Sequence, residues 1–245
     1  MSSDIANPWP GAHVIAKEKT GSTMEDALAL ARQGYPSGSC VVAGYQEKGR
    51  GREPGRRWES APGDNLLVSV ALDKSEPQCE MGLLPLACGL AVARAVSALL
   101  PEPALVKWPN DVLFRGKKLA GILCENRAQC LVIGVGVNCN QTVFPPLLAD
   151  HACSLRQITG AAVDLAALCT RVLAELKRIM AQSQWIGELE GRLAFIGSKV
   201  TVSAPGSSKV WEGMLSGIDA RGGLILATDR GETCVLRHGE LRQNP

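Results

Sequence analysis

Two stretches hold most of the side chains able to do chemistry: Gly49–Ser60 (GRGREPGRRWES) and Lys107–Leu123 (KWPNDVLFRGKKLAGIL). Around the first, Lys48, Arg50, Arg52, Arg56 and Arg57 crowd together, opposed between residues 48 and 57 only by Glu53. Glycines let a backbone approach an anion closely, and arginine forks match phosphate oxygens. The loop reads either as a phosphate-binding element or as a solvated basic loop, the latter also suited to an electrostatic nucleic-acid contact. It has little apolar surface to bury, so it is expected to be mobile until a polyanion orders it. Trp58, just after the charges, supplies an apolar anchor that could fold over such a ligand.

In the second stretch, Trp108-Pro109 implies an extended backbone, because a residue before proline avoids the α region. Asn110 and Asp111 then fall at a turn, where Asp111 either pairs with a loop arginine or helps to hold Mg²⁺. Lys118 opens an apolar run, Leu119–Leu123. A lysine entering a core needs an anionic partner, unless it snorkels at the strand end. Lys117, by alternation, faces solvent. A third stretch, Ile133–Asn140 (IGVGVNCN), places Gly-x-Gly after an apolar strand but lacks the third glycine and the downstream acid of a dinucleotide fingerprint. Its small residues would let a flat ligand lie against the strand. Asn138 there either offers its amide to a purine edge or is an ordinary turn residue.

Other chemistries lack their residues. No G-x-S-x-G elbow and no Walker A lysine pattern occurs. The three histidines have no metal-like spacing, and the two tyrosines give no stacking platform for single-stranded nucleic acid. Nine cysteines without C-x-x-C argue for buried free thiols in a reducing cytosol, against a disulfide framework or zinc site. The net charge of +2 does not point to nucleic acid or an acidic membrane surface, and the N-terminus has no signal-peptide pattern. A cytoplasmic protein with no membrane span is expected. Hydrophobic residues at 46% suffice for a sizeable core.

The elements that must position these groups follow from periodicity. Strands are expected at Ala12–Lys17, Cys40–Gln46, Asn65–Leu72, Ala104–Trp108 and Cys130–Val137. A hairpin of 112–114 with 118–125 turns at Arg115-Gly116. Helices are expected over Met24–Gln33, capped by Ser22 or Thr23, over Glu80–Leu100 with an irregular start at Pro85, and over Leu165–Ser183. Short strands at 199–203, 209–215, 224–228 and 233–236, separated by Pro205-Gly206, Gly217 and Gly222-Gly223, suggest a small β-barrel. The layout is a mixed α+β domain followed by that barrel.

The three stretches, in this order, resemble the motifs of the biotin–protein ligases: a GRGRRGRxWxS loop, KWPND followed by KLAGIL, and GxGxN. The resemblance implies a mixed-sheet biotin/lipoate ligase-like catalytic domain over residues 1–190 and an SH3-like β-barrel over 191–245, including Gly239–Arg242. It implies an ATP-dependent enzyme that activates biotin as biotinyl-5′-AMP, with Mg²⁺, and transfers it to a lysine of a biotin carboxyl carrier protein. Ser22 and Thr23 would bond the ureido group, and Gln46 the bound biotin. Gly49 and Arg50 would approach the biotin carboxyl and the phosphate, and Lys118 the reacting carboxylate and α-phosphate. Gly121 and Gly134 would line the biotin pocket. Arg52, Trp58, Asn110, Asp111 and Asn138 would serve ATP or the adenylate. Two departures stand out: Met24 replaces a common asparagine, and Glu53-Pro54 lengthens the basic loop, leaving Arg52, Arg56 and Arg57 open. With the first ligase-like strand near Ala12, no N-terminal DNA-binding domain is expected; a homodimer is compatible. The competing readings are a lipoate or octanoyl ligase of the same broader fold, and a non-enzymatic biotin-binding regulatory module.

Overall fold

The computed structural model describes residues 4–244 apart from 54, 183, 205, 207, 229 and 230. Pro54 of the basic loop, Ser183 at the end of the expected third helix and Pro205 of the expected turn lie outside the described residues.

The first part of the chain builds β1 (Val14–Lys17), α1 (Thr23–Arg32), β2 (Cys40–Ala43), β3 (Leu66–Leu72), α2 (Leu84–Ser97) and β4 (Leu105–Lys107). β5 (Asp111–Phe114), β6 (Lys117–Asn126) and β7 (Leu131–Val137) follow, then α3 (Pro146–Ala149), α4 (Leu155–Thr159), α5 (Leu165–Met180) and α6 (Ile186–Gly191). Its seven strands form one sheet in the order β1-β2-β3-β7-β6-β5-β4. Only β1 and β2 pair in parallel, joined through α1; the remaining neighbours are antiparallel. This mixed sheet is not a Rossmann fold, in line with the incomplete fingerprint.

Burial on both faces explains why the central strands are apolar throughout. β3 and β7 are buried along their whole length. One face packs on α2 and α5 through Leu66, Val68, Val70, Leu72, Ile133 and Val135. The other packs on α1 through Val41, Ala71 and Val132 against Met24, Ala27 and Leu28. α2 is apolar all round because it lies between the sheet and α5. Its Arg94 escapes the core by pairing with Glu175 (3.5 Å) and Glu188 (Nε to Oε1, 3.1 Å). No helix among the described residues is long and apolar enough to cross a membrane.

Most sequence expectations differ from these elements only at their ends. The strand expected to run from Cys40 to Gln46 stops at Ala43. The 112–125 hairpin turns where expected, with Arg115 and Gly116 both at positive φ (49° and 78°). Asp111 opens β5 instead of sitting in the turn, which is formed by the preceding residues, and the Trp108–Pro109 peptide is cis. The short helices α3, α4 and α6 are additions that single-sequence periodicity does not resolve. α4 is nonetheless fixed locally by a Ser154–Gln157 capping box, and α5 by Asp164 accepting from the N–H groups of Ala166 and Ala167.

The C-terminal strands are β8 (Lys199–Ser203), β9 (Val210–Ile218), β10 (Leu224–Ala227), β11 (Thr233–Leu236) and β12 (Glu240–Gln243). They form an antiparallel sheet of order β11-β10-β9-β8-β12, related to an SH3-like barrel but not closed among the described residues. It leans on the first sheet at defined points. Trp108 Nε1 donates to the Gly222 carbonyl (3.0 Å), and the Gly82 and Gly222 backbones touch so closely that neither has room for a Cβ. All nine cysteines are free; six are buried as expected, and Cys79, Cys124 and Cys234 are partly exposed. Burial pushes the Cys40 and Cys139 thiols up to about 12, so they stay protonated and unreactive.

Candidate active site

Strand alternation puts every second residue of β3 and β7 on the α1 side of the sheet. There Leu67, Ser69, Gly134 and Gly136 floor a cavity of about 70 Å³. Its walls are the start of α1 (Ser22, Thr23, Met24), Gln46, the basic loop (Arg50, Gly51, Arg52, Trp58), Asn110, and β6 from Lys118 to Leu123.

Lys118 and Gly121 both reach this cavity although three residues apart, a spacing that in a regular strand places them on opposite faces. A bulge resolves the conflict. β6 pairs Lys118 with Leu113 and Ala120 with Val112, so Leu119 is the extra residue. A Cβ built on Gly121 would stand 3.1 Å from Lys118 Cε. The anionic partner that a lysine at this strand end requires is Asp111: Lys118 Nζ lies 2.6 Å from its Oδ1. The loop-arginine partner considered for Asp111 is thus replaced by Lys118. Lys107, paired with Asp111 in the β4–β5 register, is held below the usual lysine range by burial, with Asp111 opposing and Lys118 adding to the shift. Asp111 thus pairs with Lys118 and also acts electrostatically on the buried Lys107. Lys117 turns away and donates to the Ala149 carbonyl (3.1 Å).

The start of α1 is organised by Gln46 and not by its own cap. Ser22 occupies the N-cap position without a side-chain cap bond, correcting the expected capping. Gln46 Oε1 instead accepts from Thr23 N (2.8 Å) and Thr23 Oγ1 (3.0 Å), and Thr23 Oγ1 lies 2.7 Å from Ser69 Oγ. The helix start, with its positive end, thus faces the cavity beside a chain of hydroxyl and amide groups. Met24 rests on the floor; its Cγ and Sδ would each be 3.0 Å from a Cβ at Gly134.

The basic loop is tied down, against the expectation of a free segment. Arg50 reaches Glu25 (2.7 Å) and Glu125 (3.4 Å). Arg52 donates to the Gly239 carbonyl (2.8 Å), Arg56 pairs with Glu240 (3.2 Å), and Arg57 donates to the Glu47 carbonyl. Charges that look unopposed along the chain therefore meet carboxylates from α1, β6 and the C-terminal sheet. Gly49 is needed where it stands: a Cβ there would lie 2.9 Å from the Trp58 carbonyl oxygen. The Trp58 ring lies on the glycine track, since a Cβ on Gly136 would be 2.6 Å from its Cε2 and one on Gly121 3.0 Å from its Cζ3. Lys118 Nζ stands 5.7 Å from the ring centroid. The indole N–H is buried without a hydrogen-bond partner among the described residues. The ring occupies the space expected for a flat ligand, and the remaining cavity is well below the roughly 300 Å³ at which small-molecule sites begin.

Two of the expected nucleotide-side amides are engaged within the protein. The Asn138 amide donates to the Lys118 carbonyl (3.3 Å) and does not line the cavity. The Asn110 amide lines it but donates to the Ile122 carbonyl (2.7 Å), clamping β6. Among the described residues no group of three or more His, Cys, Asp or Glu is placed to hold a metal. Asp111, engaged by Lys118, does not by itself fit a Mg²⁺ site, so no chemistry is assigned to a protein-held metal. The residues that sequence reasoning missed are Ser69, Glu25, Glu125 and Arg127. Ser69 had a visible signal: it is the single polar residue of LLVSVAL. Gly136, within the Gly-x-Gly stretch singled out above, repeats Gly134 at strand period. The three charged residues had none, since only the fold brings them to Arg50.

Comparison with known proteins agrees with this arrangement. The profile of the Biotin/lipoate A/B protein ligase family matches residues 16–138. A Mycobacterium tuberculosis protein named biotin–[acetyl-CoA-carboxylase] ligase is 38% identical over 243 residues, spanning 95% of this chain and 89% of that protein. One of the same name from Paracoccus denitrificans is 30% identical over 231 residues, spanning 89% and 95%. The structure of biotin protein ligase from Aquifex aeolicus in complex with biotin and ATP aligns with a TM-score of 0.84 at 30% identity, covering 94% of this chain and 99% of that one. A profile over half the chain, relatives along nearly all of it and the same fold around the cavity leave one conclusion: the chain belongs to the biotin/lipoate A/B protein ligase family.

Proposed function

We propose that this protein is an ATP-dependent biotin–protein ligase. The observation that carries this reading is the Lys118 ammonium, delivered by the β6 bulge to a glycine-floored cavity on a fold shared with a biotin- and ATP-bound ligase. In the first step a biotin carboxylate oxygen attacks the α-phosphorus of ATP, and the bond to the β-phosphate breaks to release pyrophosphate. In the second, the ε-amine of a carrier lysine attacks the acyl carbon of biotinyl-5′-AMP; AMP leaves and the nitrogen gives up a proton.

The first step brings two anions together. At ~4 Å their repulsion is about 4 kcal/mol at an effective dielectric near 20. Lys118, held by Asp111, and Arg50 are the groups that offset it. Ser22, Thr23, Gln46 and Ser69 supply hydrogen-bonding groups for the ureido end, and Gly121, Gly134 and Gly136 leave room for the rings. Trp58 must swing off the glycine track to admit biotin and can then close over the adenylate, shielding a mixed anhydride from water. Arg52, Asn110 and Asn138 stand on the nucleotide side in this reading, and Mg²⁺ arrives on the nucleotide phosphates. No protein nucleophile is required; positioning and charge do the work. The carrier is a biotin carboxyl carrier protein or domain, and residues 191–245 are read as a separate C-terminal unit braced against the loop.

The decisive measurement is the mass of a biotin carboxyl carrier domain after incubation with this protein, biotin, ATP and Mg²⁺. A gain of one biotinyl group is expected. Gain only with lipoate or octanoate would move the protein to the other branch of the family, and no gain with any acid would make it a binding module.

A further inference from the structure

Arg50 is held by a closed set of four charges drawn from three segments. Glu25 lies in the first turn of α1, Glu125 near the end of β6, and Arg127 just beyond that strand. Glu25 Oε1 is 2.7 Å from Arg50 Nη2 and 3.4 Å from Arg127 Nη2. Glu125 Oε1 is 3.4 Å from Arg50 Nη2, and its Oε2 accepts from Arg127 Nε at 2.8 Å. Each carboxylate is thus shared between the two guanidinium groups, and the set is neutral.

Exposed ion pairs contribute little to stability, so this arrangement is better understood as a device for placement. The Arg50 backbone is bridged to Arg57, with Gly51 N–H donating to the Arg56 carbonyl (2.8 Å) and Trp58 N–H to the Gly49 carbonyl (3.1 Å), but these bonds leave its long side chain to be oriented by its ion pairs. Its guanidinium lines the cavity with the side chain about 40% exposed. Both contacts use Nη2, so among the described residues Nε and Nη1 are left for an incoming oxyanion. Glu125 belongs to the same bulged strand that delivers Lys118 and Gly121, so this tether references Arg50 to the lysine across the cavity. Arg127 touches both carboxylates and fixes their separation.

We infer that Glu25 and Glu125, cross-braced by Arg127, are positioning residues that hold Arg50 at the cavity edge for the phosphate. The inference rests on the proposed function in taking Arg50 as an anion-binding group of that site. Two readouts keep their failures apart. Trypsin digestion of the ligand-free protein, followed by the mass of the fragment ending at Arg50, reports the tether whatever the reaction is. Glu125→Gln and Glu25→Gln should each raise that cleavage several-fold. Pyrophosphate release reports the consequence. Glu125→Gln should lower kcat for adenylate formation by about tenfold, with the KM for biotin unchanged, as expected for coupled charges. In an Arg50→Ala background the same change should have no further effect, and Glu125→Asp should recover part of the rate. Unchanged cleavage in both glutamine variants, or losses that multiply in the double variant, would overturn the inference. Absence of adenylate from the unaltered protein would instead overturn the proposed function, leaving the cleavage result to decide the tether.

Discussion

The two faces of the seven-stranded sheet are cut from the same strands and do opposite things. On β7, Ile133 and Val135 fill space against α2 and α5, while Gly134 and Gly136, one residue away, leave space under Met24 and Trp58 respectively. β3 repeats the division, with Val68 and Val70 on the core side and Leu67 and Ser69 on the cavity side. Branched side chains on one face supply rigidity; their absence on the other makes a site. Because the pleat alternates strictly, a site can be carved from the middle of a core strand without thinning the core behind it. Substitutions on the cavity face should therefore cost activity, and those on the core face stability.

The sharpest test is Lys118→Ala. Adenylate formation should fall by roughly 10²–10³-fold, the usual loss for one charge-stabilising donor, with the melting transition retained. A near-normal rate of pyrophosphate release would remove Lys118 from the chemistry. On the opposite face, Ile133→Ala should lower unfolding stability by about 2–5 kcal/mol in urea titrations while activity per folded molecule holds. If its activity fell as steeply as its stability, the two faces would not be independent. Gly136→Ala puts a methyl where Trp58 lies and should weaken biotin binding about tenfold by calorimetry, within the usual cost of overpacking. Tight binding with an unmoved Trp58 would mean that the ring does not share the biotin space.

The smallest effect comes from the brace behind the core face. Trp108 is held by the Gly222 carbonyl, and that turn is organised by Asp219, whose Oδ1 accepts from Arg221 N, Gly223 N and Arg237 Nη1. The Arg237 guanidinium, joined by these backbone donors, lowers the Asp219 carboxyl to about 2 from its ordinary 3.8. Its contribution to stability is complete above pH 3.8 and is lost as pH falls toward 2. Asp219→Asn should flatten that acid dependence in melts between pH 4 and 2, and Trp108 fluorescence should report the loosened turn. An unchanged acid slope would separate the brace from Asp219.

Much of the fold was legible because its signals are local. The strand periods, the turn at Arg115-Gly116 and the change to short strands after α6 are short-range patterns, and the structure moves their ends by a few residues. The glycines near Lys118 and in GVGV were readable as room for a ligand. The caps were less so: Ser22 has the right residue type, but Gln46 takes the Thr23 N–H instead. The loop arginines looked free because their partners Glu25, Glu125 and Glu240 come from three distant elements.

The amino-acid sequence by itself determined the chemical inventory: a lysine entering an apolar strand, a glycine-flanked arginine, and small residues at strand period. Alternation and residue type are properties of neighbours, so they survive without the fold. Tertiary structure alone decided that Leu119 is the bulged residue, which turns Lys118 and Gly121 to one face, and that Arg50 stands between two carboxylates. Register and ion pairing depend on which strand lies alongside, and that is set by the packing of the whole sheet.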